Sequence, residues 1–198
     1  SEKATEHRQV STQRRGGHKR EGKAEEKDVW RTDTHGPVLP PSWQRMRYFI
    51  VLRCLLTRYV MCYGMTTKHS SWVRMAYEKF ASTLHRLPKG IERDGGREYL
   101  AEAEAWEREK NIYASEVSEA YRPDHNGGAE VDVLMVQGHI KTNTSIGGTS
   151  GVWWIEAGQY GCIIEDLRNG SFRRVHGDAA TRKALQNIMP WGWRVSFV

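Results

Sequence analysis

The side chains able to do chemistry are scattered along this chain, and few recur at diagnostic spacings. Asp124-His125-Asn126 combines residue types found at nuclease sites. A carboxylate beside an imidazole can hold a metal or move a proton. No ββα-metal frame can be assembled around this one, and an Asx turn accounts for the tripeptide more simply. A hydrolase using His125 or His139 with Asp124 is the enzyme reading that these residues allow. Gly147-Gly148-Thr149-Ser150-Gly151 lacks the lysine and following helix of a phosphate loop, and the spacing of a serine nucleophile elbow. It reads as a flexible turn. Cys54, Cys62 and Cys162 show no Cys-x-x-Cys spacing, which argues against structural zinc and fits free thiols in a reducing compartment. The eight histidines form no His-Glu-x-x-His. The expectation is a chain with no catalytic residue, no metal ligand set and no cofactor.

Basic side chains give a stronger pattern. Arg14, Arg15, Lys19, Arg20 and Lys23 lie in a segment with almost nothing to bury. Arg74 and Lys79 fall on the polar side of a helical stripe, and Arg173 and Arg174 stand beside Phe172. Arginine next to an aromatic can meet RNA through charge and stacking. The competing reading for each group is a solvated surface. The chain of 198 residues carries a formal charge of +6, with a pI near 9.3. That total conceals a block of +7 over residues 46–90 beside one of −7 over 91–135. Charge asymmetry of this kind speaks to partners rather than to fold. Eight Trp and eight Tyr are too many aromatics for a wholly disordered chain, and three Cys are too few for a disulfide scaffold.

The elements that would position these residues fall into three parts. Residues 1–28 hold one apolar side chain larger than alanine, Val10, so burial cannot offset an ordering cost of about 1–2 kcal/mol per residue. With the prolines of 37–41 they form an extended basic arm and strap over 1–41, in which Trp30, Val38 and Leu39 are anchors on neighbouring proteins. Residues 42–121 read as helical. Ser42 would cap a first helix over 43–63, and Val73, Ala76, Tyr77, Phe80 and Leu84 stripe a second from Ser70 to Arg86. A third over 96–121 presents Trp106 to protein and pairs its acidic side with the basic second helix. Residues 129–198 read as a small antiparallel β-sheet, with strands at 131–136, 139–144, 152–155, 162–167 and 171–175. Asn169-Gly170 is its hairpin turn. Asp178 would cap one short helix through Met189 with Leu185 and Ile188 inward, and Trp191–Val198 would close the sheet. The fold class expected is therefore α+β.

An unfoldable basic arm and a proline strap joined to a small body resemble, in style of construction, the accessory proteins of large ribonucleoprotein and organellar assemblies. The expectation that follows is a non-enzymatic structural subunit, a lineage-specific mitochondrial ribosomal protein of the matrix. Its partners would be rRNA and neighbouring subunits. The alternative is a supernumerary subunit of a mitochondrial respiratory or ATP-synthase complex, touching the membrane through residues 43–63.

Overall fold

A computed structural model describes residues 28–113, 123–148 and 150–188. The elements are β1 (Val29–His35), β2 (Tyr48–Cys54), β3 (Val60–Met65), α1 (Ser70–Leu84), β4 (Gly90–Glu92), α2 (Glu102–Glu109), α3 (Pro123–Ile146), α4 (Trp154–Asn169) and α5 (Ser171–Asn187). Short 3-10 turns, Arg97–Tyr99 and Gly151–Trp153, precede α2 and α4. The broad α+β class holds. The order expected from the sequence does not, because the sheet comes first and the helices follow.

The sheet runs β3-β2-β1-β4, with β1 antiparallel to β2 and parallel to β4. A parallel neighbour needs a crossover, and α1 supplies it. The segment 43–63, expected as one helix, is instead the β2–β3 hairpin. A continuous apolar run suits a buried strand as well as a buried helix. Here Tyr48-Phe49-Ile50-Val51 is rich in the aromatic and β-branched residues that fit a pleated surface. Arg58 turns the hairpin in the left-handed region, φ 66°. Ser42 caps no helix; its Oγ accepts the Met46 backbone N–H at 3.1 Å. The strap likewise contains β1.

Alternation along β1 divides the core. Trp30 and Thr32 point to the α1/α2 side, where Trp30 meets Phe80 edge-on at 4.9 Å and Trp106 at 6.5 Å. Trp30 and Trp106, expected to anchor other proteins, are thus buried in the chain's own core. Phe49, Val51 and Val60 point the other way and pack under α3 and α4 with Val133, Val136, Trp154 and Ile155. The helix expected over Ser70–Arg86 is present as α1, with its stripe buried. The third expected helix shrinks to α2; residues 114–121 lie outside the described residues.

The expected β-domain is helical. Val131–Val136 and His139–Thr144 are turns of α3, Val152–Ile155 enters α4, and 162–167 with 171–175 belong to α4 and α5. Asn169-Gly170, read as a hairpin turn, ends α4 instead. Gly170 has φ 76°, the left-handed conformation common to both kinds of chain reversal. Helical geometry breaks inside α5 at Gly177, just before Asp178. Leu185, expected inward, is exposed, and residues 191–198 lie outside the described residues. Among the described residues, no helix is long and apolar enough to cross a membrane.

Candidate active site

The polar side chains of β1 gather on the face opposite Trp30. Arg31, Asp33 and His35 alternate with Trp30, Thr32 and Thr34, and α3 runs over them. Arg31 Nη1 lies 3.6 Å from Asp132, and Arg53 Nε of β2 binds the same carboxylate at 2.6 Å. Burial raises the Asp132 carboxyl pKa, against the pull of Arg53 and Arg31. Gly128 permits this close docking, since a Cβ there would collide with the Arg31 guanidinium. Further along, Gln137 Nε2 sits 2.6 Å from His35 Nε2.

The parallel register now brings two carboxylates together. Val29, Trp30 and Arg31 pair with Gly90, Ile91 and Glu92. In-register partners on parallel strands share a face, and Arg31 Nε confirms it by meeting Glu92 Oε2 at 3.4 Å. Two residues beyond the end of β4, Asp94 lies close enough to Asp33 for its charge to act there. Asp33 is half-buried, and its pKa is raised. Burial is the main cause; the Thr34 N–H, donating at 2.6 Å, opposes it, and the charge of Asp94 adds to it. Like charges held at one site resist joint ionisation. Neither aspartate has an ion-pair partner among the described residues.

The loop after β4 shapes this edge. Asp94 Oδ1 accepts the Gly96 N–H at 3.1 Å, forming an Asx turn. Glu98 is engaged differently, accepting from the Thr34 hydroxyl at 2.5 Å and Lys68 Nζ at 3.2 Å. Burial would raise its pKa, but these hydrogen bonds hold it below the usual range. Glu98 therefore braces the rim while Asp33 and Asp94 stay unshared. A third free carboxylate, Glu130, stands exposed on α3 without a partner among the described residues. It is one helical heptad before Gln137, hence on the side of α3 that Gln137 turns toward β1. Among the described residues, no three His, Cys, Asp or Glu side chains converge closely enough to hold a metal ion.

Few of the residues singled out from the sequence belong to this site. Arg14, Arg15, Lys19, Arg20 and Lys23 lie outside the described residues. Arg74 pairs with Glu78 at 3.0 Å and approaches Glu109 of α2 at 4.0 Å, while Lys79 is exposed on α1. Arg173 pairs with Asp178 at 2.6 Å, and Arg174 donates to the Thr57 carbonyl at 2.9 Å. Val38 is half-buried beside the α3/α4 core, and Leu39 is exposed. Asp124 and His125 lie in the first turn of α3, two turns or more before His139. Asp33 falls in the segment expected as a strap, Asp94 in the connector expected between two helices, and Glu130 beside the first strand of the expected β-domain, and none of those settings marks a carboxylate as functional. The signal available was local: an aspartate on the polar side of an alternating run, and Asp-Gly-Gly after the apolar Ile91.

No protein-family model matches the sequence, and no curated protein matches it. Solved structures do. The catalytic core domain of HTLV-2 integrase, determined in complex with magnesium, matches with a TM-score of 0.52 at 13% identity, over 68% of this chain and 83% of that one. The catalytic core domain of BIV integrase matches with a TM-score of 0.55 at 13% identity, over 79% and 99%. A chain of the simian T-cell lymphotropic virus intasome matches with a TM-score of 0.53 at 14% identity, over 64% of this chain and 47% of that one. The chain shares its fold with retroviral integrase catalytic cores. That fold overturns the expectation of a non-enzymatic ribosomal subunit, and with it the alternative of a supernumerary membrane-complex subunit. The first expected helix, over 43–63, which carried that alternative's membrane contact, is absent too, since the segment forms the β2–β3 hairpin.

Proposed function

We propose that this chain is the catalytic core of a polynucleotidyl transferase, an enzyme that breaks or joins phosphodiester bonds in a nucleic acid. The observation that carries the reading is the pair Asp33, on β1, and Asp94, just past the end of its parallel neighbour β4, close enough for one charge to act on the other and neither in an ion pair among the described residues. Magnesium prefers hard oxygen ligands and takes one or two carboxylates, filling its other positions with water and substrate phosphate. Asp33 and Asp94 fit that requirement, because a cation held there would relieve the repulsion that the fold imposes. Glu130 is the third carboxylate available from α3. When bound, the metal supplies charge neutralisation at a phosphoryl oxygen and lowers the pKa of an attacking water or hydroxyl.

The chain's own groups set the conditions for that chemistry. Thr34 and Lys68 keep Glu98 out of competition, so the rim is braced without consuming Asp33 or Asp94. Asp132, bridging Arg31 and Arg53, fixes the early turns of α3 against the sheet and thereby the position of Glu130. The test is strand cleavage or joining of a labelled duplex DNA by the full chain in magnesium. Asp33→Asn and Asp94→Asn should each lower the rate on the order of a thousandfold, equivalent to about 4 kcal/mol. Variants as active as the parent chain would overturn the assignment.

A further inference from the structure

An unusual surface lies at the end of the sheet where β1 runs out and β2 begins. β1 ends at His35, two residues past Asp33, and enters the loop that returns to β2 at Tyr48. That loop carries Trp43, 54% exposed, against Trp153, 41% exposed, with ring centroids 5.4 Å apart. The pair is held rather than loose. Trp43 Nε1 donates to Glu156 Oε1 at 2.6 Å, and its backbone N–H donates to the Val152 carbonyl at 3.0 Å. Ser42 and Met46 close the turn around it through two hydrogen bonds, of 2.9 and 3.1 Å. An indole exposed over half its surface yet fixed at both backbone and ring has already lost its freedom before any partner arrives. Pre-ordering of this kind lowers the cost of binding.

We infer that Trp43 and Trp153 form a stacking platform for unpaired bases of the nucleic-acid strand on which the proposed active site acts. Charge decides between occupants. Arg45 and Arg47 are exposed on the same loop, and neither forms an ion pair among the described residues. Aromatic faces beside uncommitted guanidinium groups match the alternation of base and phosphate along a single strand. A duplex hides its base faces, so the platform favours frayed ends or single-stranded stretches. This inference rests on the polynucleotidyl-transferase reading for the identity of the strand, but its test is binding alone.

The experiment is fluorescence anisotropy of a labelled oligothymidylate, and of a matching blunt duplex, with the full chain in chelator. Trp43→Ala and Trp153→Ala should each weaken oligothymidylate binding about tenfold, as loss of one base–aromatic stack does. Trp43→Phe, which keeps a ring but loses the Glu156 bond, should fall between. Replacing both Arg45 and Arg47 by alanine should flatten the slope of log affinity against log salt by about 1.4, at roughly 0.7 per single-strand phosphate contact. Duplex binding should change less than single-strand binding. If Trp43→Ala fails to fold, Trp153→Ala and quenching of tryptophan fluorescence by the oligonucleotide carry the test. Unchanged oligothymidylate binding in every folded variant overturns the platform. So does unchanged binding accompanied by a change in self-association on sedimentation, which would make the patch a protein interface. Binding in chelator needs no turnover, so its readout is separate from strand cleavage. Absent cleavage with a working platform would therefore sink the enzyme reading and leave this one standing.

Discussion

The two faces of one sheet are built on opposite principles. On the α1/α2 side, Trp30, Tyr77, Phe80, Tyr99 and Trp106 fill the space with aromatic area. The charges there, Arg93 and Glu107, are themselves buried and paired at 3.2 Å. On the α3 side, β1, β4 and the loop after it contribute Arg31, Asp33, His35, Glu92 and Asp94 to a half-buried polar strip. Two of these are aspartates left unshared beside each other. The first face holds its charges in a pair, and the second leaves two aspartates outside any ion pair. Paired charge stabilises; unpaired charge is where a ligand can gain most, which is why perturbed carboxylates cluster at functional sites.

The sharpest way to break this comparison is to exchange the outcomes of two substitutions on adjacent strand faces. Trp30→Ala should cost about 3–5 kcal/mol, the usual range for deleting a fully buried aromatic, as read by urea unfolding. Asp33→Asn removes one of two like charges and should leave the unfolding midpoint undiminished while abolishing strand cleavage. A Trp30 variant as stable as the parent chain, or an Asp33 variant that unfolds early, would erase the distinction between the faces. Next in size is Asp132→Ala, which strands Arg31 and Arg53 without their shared carboxylate. Both guanidinium groups keep some solvent contact, so the expected loss is about 2–3 kcal/mol rather than the full cost of a buried unpaired charge. Activity should fall further than stability, because α3 carries Glu130.

A separate effect concerns pH. Asp166 on α4 is fully buried, accepting the Val60 N–H at 3.1 Å and the Ser171 hydroxyl at 2.6 Å. Burial pushes its pKa up to about 7, from 3.8. The folded state thus holds this proton where the unfolded state has released it. Its contribution to stability is full below pH 3.8, declines as pH rises toward 7 and is lost above. Asp166→Asn should flatten that part of the stability profile, measured by denaturant midpoints between pH 4 and 8. An unchanged slope would place the titration elsewhere. Smallest of all is Arg74→Ala, which cuts an exposed pair with Glu78 and should leave the thermal midpoint unmoved.

Legibility in the sequence followed the same division. The α1 stripe was readable because Val73, Ala76, Tyr77, Phe80 and Leu84 repeat at helical steps and the opposite side is polar. The β2 segment was not, since a strand buried on both faces loses the alternation that marks it. Nor was α3. Its valines at 131, 133 and 136 favour a strand locally, and the helix forms because packing on the sheet outweighs that preference. Asn169-Gly170 states that the chain reverses with a positive φ, but not which elements it joins. Within the site, Asp33 and Asp94 are ordinary residues one at a time. They become a pair only through the β1–β4 register, a long-range contact that no local pattern encodes. The charge density of the basic clusters is visible in one dimension, and proximity is not.

That dependence on register has a consequence for the chain while it is still being made. Asp33 comes from the first strand, Asp94 from beyond the fourth and Glu130 from a helix later still. Pairing of β1 with β4 must wait for the hairpin and α1 to be in place, and non-local pairings are the slow ones. A growing or truncated chain that stops before α3 holds at most two of the three acids. Under the proposed activity, such a fragment would be a blade without an edge, sharpened only when the last of its three acids is in place.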